Sequence, residues 1–172
     1  MPLRPLPAPG AADCMPDCMP GVAAMPEQPA GLPRGIPMVP HGRRAWALPP
    51  NAEMVETNVA VRVNALALRG PPIEPRAADE LRLLTLGDSS VFGFGVAEAE
   101  VFGQVAARGL AARLGRPVSA VNGGTPGYTS VQALDTLMDV GRLVDPTHVV
   151  IATLWSDLFQ TDTPLERGGG QR

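Results

Sequence analysis

The stretch Gly87-Asp88-Ser89-Ser90 is the part of the sequence whose residue types could do chemistry. It follows the apolar run LRLLTL and leads into the glycine-rich stretch VFGFG. A serine hydroxyl held at the end of a buried strand can attack a carbonyl carbon when a base removes its proton and donors stabilise the oxyanion. An ordinary tight turn uses the same residue types. Ser89 is therefore a candidate nucleophile whose partners must lie elsewhere in the chain.

Two later stretches carry residues of the same small and polar kind. The stretch VNGGTPG ends at Gly127, and the stretch LWSD contains Ser156. Each comes directly after an apolar run, as the Gly-Asp-Ser-Ser stretch does. If the three runs are parallel strands of one sheet, their carboxyl ends share a rim, which is where open α/β sheets bind ligands.

The elements that must position these residues alternate between strands and helices. LRLLTL, RPVSAVNGG and THVVIATLW are strand candidates, and the third is apolar on both faces, as expected for the middle of a parallel sheet. Between them, residues 98–115 place an apolar stripe from Phe102 to Leu114, and residues 129–143 place Val131, Leu134, Leu137 and Met138 on one face. The order predicts an α/β domain with parallel strands and right-handed crossovers.

The rest of the chain divides into two segments. Residues 1–52 carry most of the 20 prolines, which remove backbone donors and favour extended conformations, so a disordered arm is predicted there. Residues 53–80 alternate apolar and polar positions in VETNVAVRVNALALRG, which predicts an extended lead-in segment of half-buried strands or an arm lying on the domain. Residues 81–172 form the α/β domain.

Composition excludes several classes of function. The chain has 14 basic residues, all of them Arg, and 17 acidic residues, which gives a net charge of -3. This charge balance does not indicate the basic surface that binds nucleic acid. No apolar run is long enough to span a membrane and no signal peptide is evident, so the cytoplasm is the default location and the true one stays open. Cys14 and Cys18 are read as free thiols in preference to a disulfide or metal site, and no cofactor is expected.

The stretches LTLGDSSVFGFGV, VNGGTPGYTS and LWSD together resemble the motifs of the SGNH (GDSL-type) hydrolases, a family of esterases and lipases on a flavodoxin-like fold. VNALALRG is also similar to a phrase that often precedes the domain in bacterial members. The resemblance covers about residues 60 to 160. It implies a three-layer sandwich, with Ser89 as the nucleophile attacking an ester and the backbone amides of Ser89 and Gly127 holding the oxyanion.

Two departures from the family pattern bear on activity. Ser156 stands where the family has an Asn donor, and a serine hydroxyl is shorter than that amide. The family's Asp-x-x-His block is absent, and the sequence contains only two histidines. His148 begins the third strand, about 20 Å from Ser89 if that strand has six residues, and His41 falls in the Pro-rich arm. The fold is therefore expected to be incomplete at its C-terminal side.

Two functions follow as expectations. The first is a serine hydrolase of acyl or acetyl esters, carried by a carbohydrate, a lipid or another small molecule. This chain would be the N-terminal portion of that enzyme and would be inactive or nearly so. The second is a non-catalytic α/β module that binds or interacts. The oligomeric state is left open.

Overall fold

The computed structural model describes residues 35–160. Cys14, Cys18 and the greater part of the Pro-rich segment lie outside the described residues, as do residues 161–172. In chain order the elements are β1 (Val39–His41), β2 (Ala45–Ala47), β3 (Glu53–Glu56), β4 (Val59–Arg62), β5 (Leu81–Gly87), α1 (Ser89–Phe92), a 3₁₀ turn (Glu98–Glu100), α2 (Phe102–Leu114), β6 (Val118–Gly124), α3 (Ser130–Val144), β7 (His148–Ala152) and α4 (Leu154–Gln160).

A three-stranded parallel sheet forms the centre of the domain, in the order β6-β5-β7. Gly87 at the end of β5 is level with Gly124 on β6 and with Ala152 on β7, so the three carboxyl ends meet at one rim. Leu84 and Leu86 of β5 are fully buried and pack in one cluster with side chains of α3. The predicted α/β fold with parallel strands is confirmed.

The apolar pattern of the third strand predicted the middle of a sheet, and this is wrong for the described strands. Its exposed place at an edge agrees with the expectation that the fold is incomplete at its C-terminal side. β5 is the middle strand, because it is the one hydrogen-bonded on both sides, whereas β7 pairs with β5 alone among the described strands. All five residues of β7 are exposed. Its apolar sequence therefore lies at an edge of this sheet, with both of its faces open.

Helix α2 packs on the sheet through small residues rather than through the apolar stripe found from the periodicity. Gly103 and Ala107 are the buried residues of α2, and a Cβ added at Gly103 would lie 3.0 Å from Thr85 Cγ2. This close approach leaves no room for a large side chain at that position. The stripe residues Phe102, Val105, Leu110 and Leu114 of α2 are exposed instead. On α3, Val131, Leu134 and Met138 are also exposed, whereas Leu137 is half-buried against the core beside the buried Val140 and Val144.

The prediction of a disordered arm over residues 1–52 is wrong for residues 35–52. β1 and β2 form an antiparallel hairpin, and Leu48 just beyond it is fully buried. Leu48 joins an apolar cluster with Phe92 of α1 and with residues of β3 and β4, and this burial orders the segment. Pro40 is accommodated because β1 is an edge strand, where a missing N–H need not break a ladder.

The lead-in segment contains half-buried strands, which is one of the two forms predicted for it. β3 and β4 are an antiparallel hairpin whose Met54 and Val61 point into the apolar cluster. Arg69 then bridges to Asn122 on β6, which attaches the segment to the outer edge of the sheet. None of the helices in the described part of the chain has the length and apolar character needed to cross a membrane.

Candidate functional site

Ser89 lies at the first position of α1, directly beyond the central strand. The ends of β6 and β7 come into backbone contact with β5 and α1 on either side of it. A Cβ added at Gly87 would lie 2.1 Å from the Ala152 carbonyl oxygen, and one added at Gly124 would lie 2.2 Å from the Phe92 amide nitrogen. Glycine is needed at both positions because the loop after β5 is pressed between the ends of β6 and β7.

Asp88 holds two of the rim loops together and does not act on a substrate from its present position. It is 1% exposed, and its Oδ1 accepts hydrogen bonds from the amide and the hydroxyl of Ser90 at 2.9 and 2.6 Å. Its Oδ2 accepts from the Ser156 hydroxyl at 3.0 Å and from the Ser156 amide at 3.3 Å. Burial acts to raise the pKa of Asp88, but these four donors outweigh it and the pKa is lowered.

The three rim serines differ in what their hydroxyls do. Those of Ser90 and Ser156 both donate to Asp88. Within the part of the chain that the structure describes, the Ser89 hydroxyl makes no hydrogen bond, and the residue is half-buried. Of the three hydroxyls, only that of Ser89, the predicted nucleophile, makes no hydrogen bond to a described residue. The predicted oxyanion role of Ser156 is not supported by this geometry, because its single proton points to a carboxylate.

The loop that contains Gly127 is fastened by the N-terminal hairpin. The indole N–H of Trp46 donates to the Pro126 carbonyl at 3.1 Å, and the Tyr128 hydroxyl donates to the Trp46 carbonyl. The two aromatic rings lie 5.9 Å apart. Tyr128 is fully buried, and this desolvation raises the pKa of its phenol. Both neighbours of Gly127 are thus held by one tryptophan. Gly127 itself has a φ of 79°, a backbone conformation that favours glycine.

Arg69 fastens the other side of the site. Its buried guanidinium donates to the carbonyls of Phe92, Gly93 and Val96, which follow Ser89 in the chain, and its Cζ lies 4.9 Å above the Phe92 ring. The carbonyls of Phe92 and Gly93 lie at the C-terminal end of α1 and have no amide partner within that helix, so the guanidinium adds a donor to each of them and to the Val96 carbonyl further along the chain. Arg69 lies in the VNALALRG phrase, but no local pattern there indicates these partners.

Neither of the two histidines lies at the rim beside Ser89. His41 contacts the Arg44 guanidinium, and its Nε2 lies 3.8 Å from Asp139 Oδ2 on α3. His148 is level with Leu83, four residues of strand before the rim, or about 13 Å at the usual rise per residue. The prediction that His148 lies at the opposite end of the strand is confirmed.

Asp157 anchors α4 to α3. Its Oδ1 accepts from the Ser130 amide at 2.8 Å, and its Oδ2 accepts from the Thr153 hydroxyl at 2.7 Å. The hydrogen bond from the Ser130 amide is the main reason that the pKa of Asp157 is lowered. These contacts tie the start of α3 to the segment after β7.

Two hollows among the described residues flank the sheet at opposite ends. One of about 470 Å³ lies at the rim and is lined by Ser90, Ile151, Ala152, Thr153, Leu154, Trp155 and Asp157. The other, of about 490 Å³, lies along the outer edge of β6 toward the starts of the strands, with Glu80, Arg82 and Ser119 in its wall. The rim hollow is lined by Ser90, the residue after the candidate nucleophile, and its floor is the end of β7.

Comparison of the sequence with protein-family models and with curated proteins finds no match. Family and function therefore rest on the residues and contacts described above. Among the residues that the structure describes, no group of three or more His, Cys, Asp or Glu side chains could hold a metal ion.

Proposed function

We propose that the chain is a serine ester hydrolase related to the SGNH family, with a flavodoxin-like three-layer sandwich as its fold type. The strand order supports the fold type. Numbered along the chain, the parallel strands lie in the order second, first, third, which is how the flavodoxin-like order 2-1-3-4-5 begins. That order has its ligand site between the first and third strands, which here are β5 and β7.

The observation that carries the proposal is the setting of Ser89. It follows the central strand at the rim, its hydroxyl makes no hydrogen bond to any residue that the structure describes, and Asp88 accepts hydrogen bonds from the hydroxyls of Ser90 and Ser156. In the proposed reaction, Ser89 Oγ bonds to the carbonyl carbon of the ester, and the backbone amides of Ser89 and Gly127 stabilise the oxyanion. The hydrogen bonds of Trp46 to both neighbours of Gly127, and those of the Arg69 guanidinium to the segment after Ser89, hold the two loops that carry these amides. Little reorganisation is therefore needed as charge develops.

The reaction needs a base near Ser89 Oγ. His148 of the same chain starts its strand, which places it about 13 Å from the rim, so an isolated chain is expected to have little turnover. The substrate class proposed from the resemblance is an acyl or acetyl ester of a carbohydrate, lipid or other small molecule. The rim hollow, with Ile151, Leu154 and Trp155 in its wall, suits the acyl portion.

The test is labelling with a fluorophosphonate probe and hydrolysis of p-nitrophenyl acetate, with Ser89→Ala and the matched control Ser90→Ala. Labelling is expected for the wild-type chain and for Ser90→Ala, and none for Ser89→Ala. Labelling that persists in Ser89→Ala would show that another residue is the nucleophile.

The alternative function is a non-catalytic binding module. It is favoured by the hydrogen bond from the Ser156 hydroxyl to Asp88, because no side chain then donates to the oxyanion where the family has its Asn. Folded protein that neither hydrolyses the ester nor takes up the probe would support this alternative.

A further inference from the structure

The loop that follows α1, residues 93–96, has its backbone held by two buried charges of the lead-in segment. The Arg69 guanidinium donates to three carbonyls at and beyond the end of α1. From the other direction, the carboxylate of Glu56 at the end of β3 accepts a hydrogen bond from the Gly95 amide at 2.6 Å. Arg69 is 3% and Glu56 is 6% exposed, and charges at such burial need hydrogen-bond partners. The course of the loop is therefore set by two side chains of opposite charge.

Phe94 is the side chain that this loop exposes most. The glycines on either side of it have positive φ angles, 85° at Gly93 and 65° at Gly95, so the backbone turns before and after Phe94. The Phe94 ring lies 5.5 Å from the fully buried ring of Phe92, measured between centroids. Phe94 itself is 46% exposed. A ring that is supported from below in this way loses little conformational freedom when a ligand covers its open side.

Phe94 lies beside the candidate nucleophile, on the side of α1 that faces β6. α1 has only four residues, a length of about 6 Å. The Gly93 amide donates to the Ser89 carbonyl at 2.9 Å, so Phe94 directly follows a residue that is bonded to Ser89. The Asn122 side chain of β6 donates to the Phe92 carbonyl at 3.2 Å, which attaches the start of the loop to that strand. The rim hollow lies on the other side, toward β7.

An ester that reacts at Ser89 has an acyl portion and an alcohol portion on opposite sides of its carbonyl carbon. In the proposed function the acyl portion occupies the hollow on the β7 side. The alcohol portion then extends toward β6, where Phe94 offers an exposed apolar ring. We propose that Phe94 contacts the alcohol portion of the ester and selects apolar alcohols, aryl or alkyl, an inference that rests on the proposed function.

The contacts of the loop favour an apolar alcohol over a polar one. Arg69 and Glu56 already bind four backbone groups of residues 92–96, so these groups are not offered to a polar ligand. Phe94 leaves roughly 90 Å² of its surface open at its exposed fraction. Covering that area completely corresponds to about 40-fold in affinity at the usual free energy of apolar burial. An alcohol that covers part of the ring is therefore expected to gain about tenfold.

The selection is tested with two probes that carry the same phosphonyl group, one with fluoride and one with p-nitrophenolate as the leaving group. In both, the bond between Ser89 Oγ and phosphorus forms as the leaving group departs, but only the second probe has an aryl group on the alcohol side. The measured quantity is the ratio of the two labelling rate constants, nitrophenyl over fluoride. Phe94→Ala is expected to lower this ratio about tenfold, and Phe94→Leu is expected to recover most of it.

The ratio separates contact with the alcohol from damage to the site, because a distorted site slows both probes alike. The matched control is Phe102→Ala, at a position of α2 that is 41% exposed, and its ratio is expected to equal that of the wild-type chain. A ratio that is unchanged in Phe94→Ala, or that falls equally in Phe102→Ala, overturns the proposal.

The contact is also measured without any reaction, by fluorine NMR of the chain that carries para-fluorophenylalanine. The Phe94 signal is identified by its loss in Phe94→Leu. Benzyl alcohol is expected to shift this signal and to leave that of Phe102 in place. A Phe94 signal that does not move overturns the proposal even if Ser89 is labelled. A shifted signal in a chain that neither probe labels refutes the proposed function and leaves Phe94 as a binding site for apolar alcohols.

Discussion

Replacing Gly124 by alanine tests whether the rim is held by backbone contact. The added methyl would lie 2.2 Å from the Phe92 amide nitrogen, 2.6 Å from the Val91 carbonyl carbon and 2.8 Å from Phe92 Cα. All three atoms belong to the backbone of α1, so no side chain can rotate away and α1 itself must move. Overpacking of this kind costs about 1–3 kcal/mol.

The matched control is the same substitution at Gly109, in the interior of α2. A Cβ there meets nothing within 4 Å, and alanine is preferred over glycine in a helix by about 1 kcal/mol. In a chain of this size, about 1 kcal/mol corresponds to about 3 °C in Tm. Calorimetry is expected to show a fall of about 3–9 °C for Gly124→Ala and a rise of about 3 °C for Gly109→Ala.

The displacement of α1 has a second consequence, since Ser89 begins that helix. Labelling of Gly124→Ala by the fluorophosphonate probe is expected to be slower than that of the wild-type chain at temperatures where both are folded. Equal Tm changes for the two glycine variants would refute the close approach of β6 to α1 on which the description of the site depends.

Three further substitutions probe the contacts that fix the rim. Trp46→Phe removes the indole donor from the loop that holds Gly127 and is expected to lower the free energy of unfolding by about 1 kcal/mol, whereas Trp155→Phe, at a position 67% exposed, changes it by less; urea denaturation measures both. Asp88→Asn is expected to cost about 1–3 kcal/mol at neutral pH, because donors lose an ionised acceptor. The lowered pKa of Asp88 stabilises the fold above the unfolded value near 3.9, and this contribution is lost as the pH falls through the folded value, so the variant shows a flatter stability profile below about pH 4 in acid titrations. Arg69→Lys replaces a fork that serves three carbonyls with one ammonium and is expected to cost about 2–4 kcal/mol, while the exposed Arg113→Lys costs next to nothing; thermal unfolding that does not distinguish them would contradict the role of Arg69.

Local patterns predicted the elements of the central domain well. The apolar run before Gly87 and the helical stretches at residues 98–115 and 129–143 lie where the sequence placed them, as β5, α2 and α3. Each depends on residues close together in the chain, whose backbone preferences act before any tertiary contact forms. The choice of Ser89 among neighbouring serines also came from such a pattern.

The attachment of the N-terminal segment could not be predicted in that way. A proline-rich sequence lacks the periodic signal of a regular element, and the hairpin that contains Trp46 is ordered by contacts with residues 80 and more positions away. Long-range burial overrode the local preference for an open chain. The same holds for Arg69, whose three acceptors lie 23 to 27 residues downstream.

The sequence by itself determined the parallel α/β order, the rim where three small-residue loops meet and the choice of candidate serine. Only the tertiary structure decided which faces are covered. The apolar period of α2 indicated a face for burial, yet close packing against the sheet selected Gly103 and Ala107 and left the larger side chains outside. Helix α3 buries Ala133, Val140 and Val144 and leaves Leu134 and Met138 exposed. The position of β7 at an edge follows from pairing between strands far apart in the chain, which no local pattern encodes.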